Sequence, residues 1–250
     1  MSNSTTRFTN RVENYIKYRP GYPIEVIEYL KSENILKPDS ISADIGSGTG
    51  ISTELFLKNG NTVYAVEPND AMREAAEKLL AGYENFRSIN TSAEDTTLPD
   101  VSIDLIVCAQ AFHWFDIPKA KMEFNRILKP AGRICLMWNE RILDANPFLI
   151  DYENLLIKYG TDYTTVRHEN VDENKLKELF ANGYITRSFP NKQVFNLEGV
   201  TGRLLSSSYT PQYDSPLYEP MLAELKRIFE LHQKNGKIEF LYETNVYTSI

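Results

Sequence analysis

One stretch constrains this chain more than any other: Asp44-Ile45-Gly46-Ser47-Gly48-Thr49-Gly50. Three glycines within five residues separate the short apolar run Ile41–Ile45 from a helical pattern that begins at Ile51. Glycines at that density, in a turn from strand to helix, let another group approach the backbone with no Cβ in the way. The next strand, Thr62–Val66, ends in Glu67-Pro68, 21 residues after Gly46. In a βαβ unit that carboxylate lies beside the turn at the carboxyl edge of the sheet, where a ribose diol can be bound.

The same rhythm continues downstream. Asp70–Ala81 carries Ala71, Met72, Ala75 and Leu79 at helical spacing, and Phe86–Asn90 reads as a weaker strand. Asp104–Ala109 is a continuous apolar run, the mark of a strand covered on both faces. Asp116 suits the N-cap of a helix over Ile117–Leu128, and Arg133–Trp138 is the next buried strand. Strands alternating with helices give right-handed crossovers and a parallel sheet. Two helical patterns precede this core, Arg7–Arg19 (with Phe8, Val12, Tyr15 and Ile16 as an apolar stripe) and Pro23–Leu36. Beyond Asn139 the pattern is less regular. Helices are expected over 146–159, 172–181, 197–207 and 216–233, and strands over Ile185–Phe195 and Lys237–Thr248, the last of them antiparallel to the others. The expected fold is therefore α/β: a doubly wound, mostly parallel seven-stranded sheet with helices on both faces. Within a single domain, residues 1–38 form a helical cover, 39–140 the core, 140–235 in part a lid, and 236–250 the final strand.

Composition narrows the function. The 27 basic and 34 acidic residues give a formal charge of −7, which argues against a general phosphate-neutralising surface and hence against nucleic acid as a partner. Cys108 and Cys135 sit inside apolar runs with no C-x-x-C, as buried reduced thiols do. The polar N-terminal segment has no apolar stretch of a secretory signal, and Leu105–Phe115 is too short to cross a bilayer. A cytoplasmic protein is expected. His168 and His232 show no ligand spacing and no metal motif is present.

Two ligand classes compete for the glycine turn. A dinucleotide fingerprint is G-x-G-x-x-G, which offers the helix N-terminus to a pyrophosphate. Here the third glycine comes one residue early and Asp44 stands beside the turn. That carboxylate would repel a pyrophosphate and attract an ammonium or sulfonium group.

The run Asp44–Gly50 with Glu67-Pro68 resembles the class I S-adenosylmethionine-dependent methyltransferases. The likeness continues through Ala93-Glu94-Asp95, Asp104–Val107 and Leu128–Gly132. Tyr15–Pro23, Ala109–Phe115 and Ser206–Pro211 are similar to the small-molecule subgroup that includes trans-aconitate and ubiquinone-biosynthesis enzymes. The resemblance implies S-adenosylmethionine as methyl donor, with S-adenosylhomocysteine as product. It implies that Asp44 and the Gly46 backbone hold the methionine end, with Ser47, Gly48 and Gly50 lining the turn and Gln110 beside them. Glu67 would take the ribose hydroxyls, Pro68 and Met72 would pack near the adenine, and Ala93-Glu94 would reach its edge. Ser92 replaces an aspartate common in relatives, which leaves the adenine amine without that contact. Tyr15, Tyr18, Phe112, Trp114 and Phe115 are aromatic faces for a sulfonium or an acceptor. Arg19 suits an anionic acceptor or the cofactor carboxylate. Tyr209 lies in the subgroup match near the acceptor, and His113 could accept the acceptor's proton or position it. The expected activity is methyl transfer to a small, acidic metabolite. Alternatives are transfer to RNA or protein, or a regulator that binds the cofactor without catalysis.

Overall fold

The structure, a computed structural model, describes residues 12–163 and 173–250. The expected start of the first helix with Phe8, together with His168 and Asp172, lies outside the described residues. Nine α-helices are described: α1 (Val12–Tyr18), α2 (Glu25–Ser32), α3 (Ile51–Lys58), α4 (Asp70–Leu79), α5 (Ile117–Ile127), α6 (Pro147–Tyr159), α7 (Glu173–Leu179), α8 (Leu197–Leu205) and α9 (Tyr218–His232). The strands are β1 (Ile41–Ile45), β2 (Thr62–Val66), β3 (Phe86–Ile89), β4 (Ile103–Ala109), β5 (Leu128–Arg141), β6 (Tyr184–Phe195) and β7 (Ile238–Ser249).

They form one seven-stranded sheet in the order β3-β2-β1-β4-β5-β7-β6. The pairs β1–β2, β2–β3, β1–β4 and β4–β5 are parallel, and β7 runs antiparallel to both β5 and β6. The order reverses between β1 and β4. At such a point the connections leave in opposite directions and open a crevice at the carboxyl edge.

Apolar side chains fill both faces. Phe124 and Ile127 of α5 and Leu176 and Leu179 of α7 pack on Ile45, Ile106 and Leu136 on one side. On the other, Val26 and Leu30 of α2, Phe56 of α3 and Ala76 of α4 cover Val63, Leu105 and Val107. A third cluster joins α6, α8 and α9 to Phe240 and Tyr242 of β7. Residues 140–235 thus contain an edge strand of the sheet as well as helices. Among the described residues no helix is long and apolar enough to cross a membrane.

Two elements differ most from the sequence expectation. The helix expected over Pro23–Leu36 stops at Ser32 because Asn34 turns to a left-handed φ of 57°. The amides of Ile35 and Leu36 then return to the Leu30 carbonyl, the closure a glycine more often provides. Strand β5 begins at Leu128 rather than Arg133, and its far end, Asn139–Arg141, continues past the expected Trp138 alongside Thr244–Tyr242.

Candidate active site at the carboxyl edge of the sheet

The glycine turn is pinned from below. The amides of Gly46 and Ser47 donate to the Val66 carbonyl, and the Gly48 amide donates to Glu67 Oε2 at 2.9 Å. Gly46 has φ +71° and an added Cβ would come within 2.6 Å of Ala111 Cβ, so the turn and the β4 loop meet only because the side chain is absent. Glu67 is 8% exposed. Its Oε1 accepts from the Asn69 amide at 2.8 Å, so each carboxylate oxygen holds one backbone N–H and keeps a lone pair. Burial pushes its pKa upward against those two bonds.

Above the turn lies a cavity of about 420 Å³. The glycine turn and the segments that follow β2, β3 and β4 contribute Gly46, Ser47, Gly48, Glu67, Pro68, Met72, Ala93, Glu94 and Gln110, together with Ser92. The hydroxyls of Ser47 and Thr49, two of the lining residues, are buried with no hydrogen-bond partner among the described residues. Gln110 adopts a left-handed φ of 56°, rare for a residue with a side chain, and donates from Nε2 to the Asn139 carbonyl at 3.0 Å. Such a strained residue at the end of β4 fixes the loop that carries Phe112–Trp114.

The remaining lining includes Tyr15, Arg19, His113, Trp114 and Tyr209, which the sequence singles out, and Trp138, Arg141, Tyr163, Arg203 and Tyr242, which it does not. The His113 ring lies tilted against Trp114 at 4.6 Å between centroids and against Trp138 at 6.1 Å. Arg19 stacks over Tyr15 and donates from Nη2 to the Ser206 carbonyl at 3.0 Å. Burial and the nearby charge of Arg203 pull its pKa down. Arg203 could have been noticed in the sequence, because it shares helical spacing with Val200 and Leu204 on a buried face, where an unpaired cation is uncommon.

Four expected site residues lie elsewhere. Asp44 is fully buried beneath the turn and does not line the cavity. Its Oδ2 accepts from Ser52 Oγ at 2.7 Å and Thr53 Oγ1 at 2.6 Å, while Oδ1 has no partner. Burial pushes its pKa up to about 6, with the two hydroxyls acting in the opposite sense. Gly50 is a packing position, φ +85°, where a Cβ would come within 2.7 Å of Leu80 Cδ1. Tyr18 packs edge-on to Phe195 and bonds Glu198 from its hydroxyl at 3.2 Å. Phe112 is 1% exposed and packs against Phe115 and Trp138. Neither ring lines the cavity, and both pack on apolar neighbours, Phe195 for Tyr18 and Phe115 and Trp138 for Phe112. Among the described residues no cluster of His, Cys, Asp and Glu could hold a metal.

The glycine turn and its neighbours are suited to an adenosyl group: an acceptor pair on Glu67 for a diol, hydroxyl and backbone groups at the turn, and Met72 and Pro68 as an apolar shelf. A family model described as "Methyltransferase domain" matches residues 43–136, the segment that builds this part of the site. The chain is similar to the class I S-adenosylmethionine-dependent methyltransferases. It is 28% identical to an uncharacterized methyltransferase-like protein of Schizosaccharomyces pombe over 97% of this chain and 94% of that one. It is 35% identical to an uncharacterized methyltransferase of Mycobacterium bovis, a match spanning 54% of this chain and 52% of the relative. The fold is similar to the crystal structure of the YcgJ protein of Bacillus subtilis, with a TM-score of 0.55, 22% identity, and coverage of 90% of this chain and 96% of that one. The methyltransferase therefore uses S-adenosylmethionine, and the orphaned hydroxyls and the Glu67 oxygens fit that cofactor.

Proposed function

We propose that this methyltransferase acts on a small acidic metabolite. The observation that carries this reading is the mixed lining of the cavity: hydroxyls, glycine backbone and Glu67 from the turn and the end of β2, arginines and aromatic rings from α1, β5, α8, β7 and the residues next to them. When bound, S-adenosylmethionine supplies a methyl group activated by its sulfonium sulfur. Glu67 takes both ribose hydroxyls, Pro68 and Met72 pack on the adenine, and the Ala93-Glu94 segment faces its edge. Ser47, Gly48 and Gln110 hold the methionine end, and Arg19, with Tyr15 beneath it, takes the cofactor carboxylate. Asp44 contributes its charge from below the turn rather than by contact.

Methyl transfer from a sulfonium requires alignment and exclusion of water more than proton removal. An acceptor that is already an anion needs no base, so His113, fixed against Trp114, orients it together with Tyr209. Residues 1–38 then act as a cover and 39–140 as the cofactor-binding core. The segment 140–235 supplies Arg141, Tyr163, Arg203 and Tyr209 to the acceptor, and 236–250 closes the sheet. The free, buried Cys108 and Cys135 fit a reducing compartment, and we place the enzyme in the cytoplasm.

The test is formation of S-adenosylhomocysteine from S-adenosylmethionine in the presence of small carboxylic acids, amines, phenols, RNA and protein in turn. Turnover with acids is expected. Turnover confined to RNA or protein would overturn the reading.

A further inference from the structure

Several donors lining the cavity lack a counter-charge or a partner. Arg203 of α8 is 7% exposed and makes no ion pair with a described residue. Its Nε donates to Tyr242 Oη and its Nη1 to Ser207 Oγ, each at 3.2 Å. Both acceptors are neutral hydroxyls, and Nη2 has no hydrogen bond among the described residues. Arg141 of β5 is balanced by Glu153 at 2.5 Å through Nη2, and its Nη1 is buried without a partner. The indole N–H of Trp138, 2% exposed, has none either. All three side chains line the same cavity. Buried polar groups are ordinarily satisfied, and a buried charge ordinarily has a counter-charge. Three donors left open around one void are satisfied by what enters it.

We infer that Arg203, Arg141 and Trp138 form an anion subsite that holds a carboxylate of the methyl acceptor, with Arg203 as the residue that reads its charge. The inference rests on the methyl-transfer reading above, which assigns Arg19 to the cofactor. Arg141 is balanced by Glu153 and Arg203 is not, and with Glu140 also lining the cavity the local charge suits a monoanionic carboxylate better than a phosphate dianion. Arg203 is also held in direction. Tyr242 Oη, which accepts from Arg203, donates to Gln193 Oε1 at 3.0 Å, and Gln193 Nε2 donates to the Tyr18 carbonyl at 3.1 Å. Beneath it the Phe240 ring lies 6.0 Å from the guanidinium carbon. A chain of bonds from β6 through β7 to α8 thus aims a planar fork, which a lysine could not reproduce. Tyr242 is accordingly a positioning residue.

The experiment is an NMR titration of the protein saturated with S-adenosylhomocysteine, using phenylacetate, its neutral isostere phenylacetamide, and inorganic phosphate as probes. Phenylacetate is expected to bind at least tenfold more tightly than either of the others. Arg203→Met should abolish that preference. Tyr242→Phe should weaken phenylacetate several-fold and leave phenylacetamide unchanged, a split that a merely structural role would not produce. If Arg203→Met fails to fold, Arg203→Lys and Tyr242→Phe decide, and Lys should retain part of the preference. Equal binding of acid and amide by the wild type, or a preference that survives Arg203→Met or is undiminished in Arg203→Lys, would overturn the subsite. Tighter binding of phosphate would overturn the choice of carboxylate. S-adenosylhomocysteine affinity is read first in the same samples, so failure of the methyl-transfer reading shows separately, as a wild-type protein that does not bind it.

Discussion

Asp44 sits under the glycine turn with two hydroxyls on one carboxylate oxygen and nothing on the other. Its pKa rises from 3.8 to about 6 on burial, so the folded protein holds a proton there that the unfolded chain releases. Stability of the cofactor-free protein should therefore fall as pH rises from about 4 to about 6, by roughly 3 kcal/mol from this group, and level off above. Asp44→Asn should flatten that slope in urea denaturation at pH 4.5 and 7. A sulfonium and an ammonium overhead favour the ionised form, so wild-type affinity for S-adenosylmethionine should increase between pH 5 and 7, and calorimetry should find the variant's nearly constant. Glu67 is a different case, since its oxygens already serve two amides. Glu67→Ala should cost on the order of 2–4 kcal/mol of S-adenosylhomocysteine affinity, and about 1–3 kcal/mol of stability from the stranded N–H groups. Calorimetry and thermal melting read the two losses. The motif identifies both acids from spacing alone. It does not reveal that Asp44 lies below the cavity, because its depth depends on Ser52 and Thr53 in the first turn of α3.

Helix α1 meets α8 at Gly202, where any Cβ would overlap the Tyr18 ring. The two helices are joined further by the exposed Lys17–Glu198 pair and by Arg19 donating to the Ser206 carbonyl. Gly202→Ala should displace Tyr18 at a cost of about 1–3 kcal/mol. Because Arg19 follows Tyr18 directly, cofactor affinity should drop with stability. Limited proteolysis should cut ahead of Arg19 in the variant before the wild type, and equal cutting rates would refute the coupling. Periodicity located both helices. The contact between them was not readable, since a glycine inside a helix looks the same in sequence whether it admits a partner's ring or faces solvent. Tyr18 was assigned to the acceptor for that reason, its neighbours in sequence being site residues while its neighbours in space are Gly202 and Phe195.

Across the whole molecule, alternating strands and helices from Ile41 to Trp138 specify the parallel half of the sheet, because each apolar run is bounded by a turn residue such as Gly60 or Asp116. The other half depends on pairing between distant segments, and no local pattern indicates that β7 separates β5 from β6. Strand β6 has β7 as its one strand neighbour, with twelve residues in register from Tyr184↔Ser249 to Phe195↔Ile238. Amides of β6, paired on one side, should therefore exchange with solvent before those of β7, β1 and β4, which are paired on both sides. Val246, fully buried where β7 crosses between its neighbours, gives the matching mutation. Val246→Asp should release both strands together, seen as loss of protection in β6 as well as β7 by mass spectrometry, with β1 retained. The arrangement also sets a sequence of assembly. An earlier segment must wait for a later one before it has a place, and the proposed acceptor subsite draws Arg141, Gln193 and Tyr242 from the three strands involved. A chain halted before β7 docks would own the glycine turn and lack Tyr242 and the partner of β6, so under the proposed reading selectivity would be the last property it acquires.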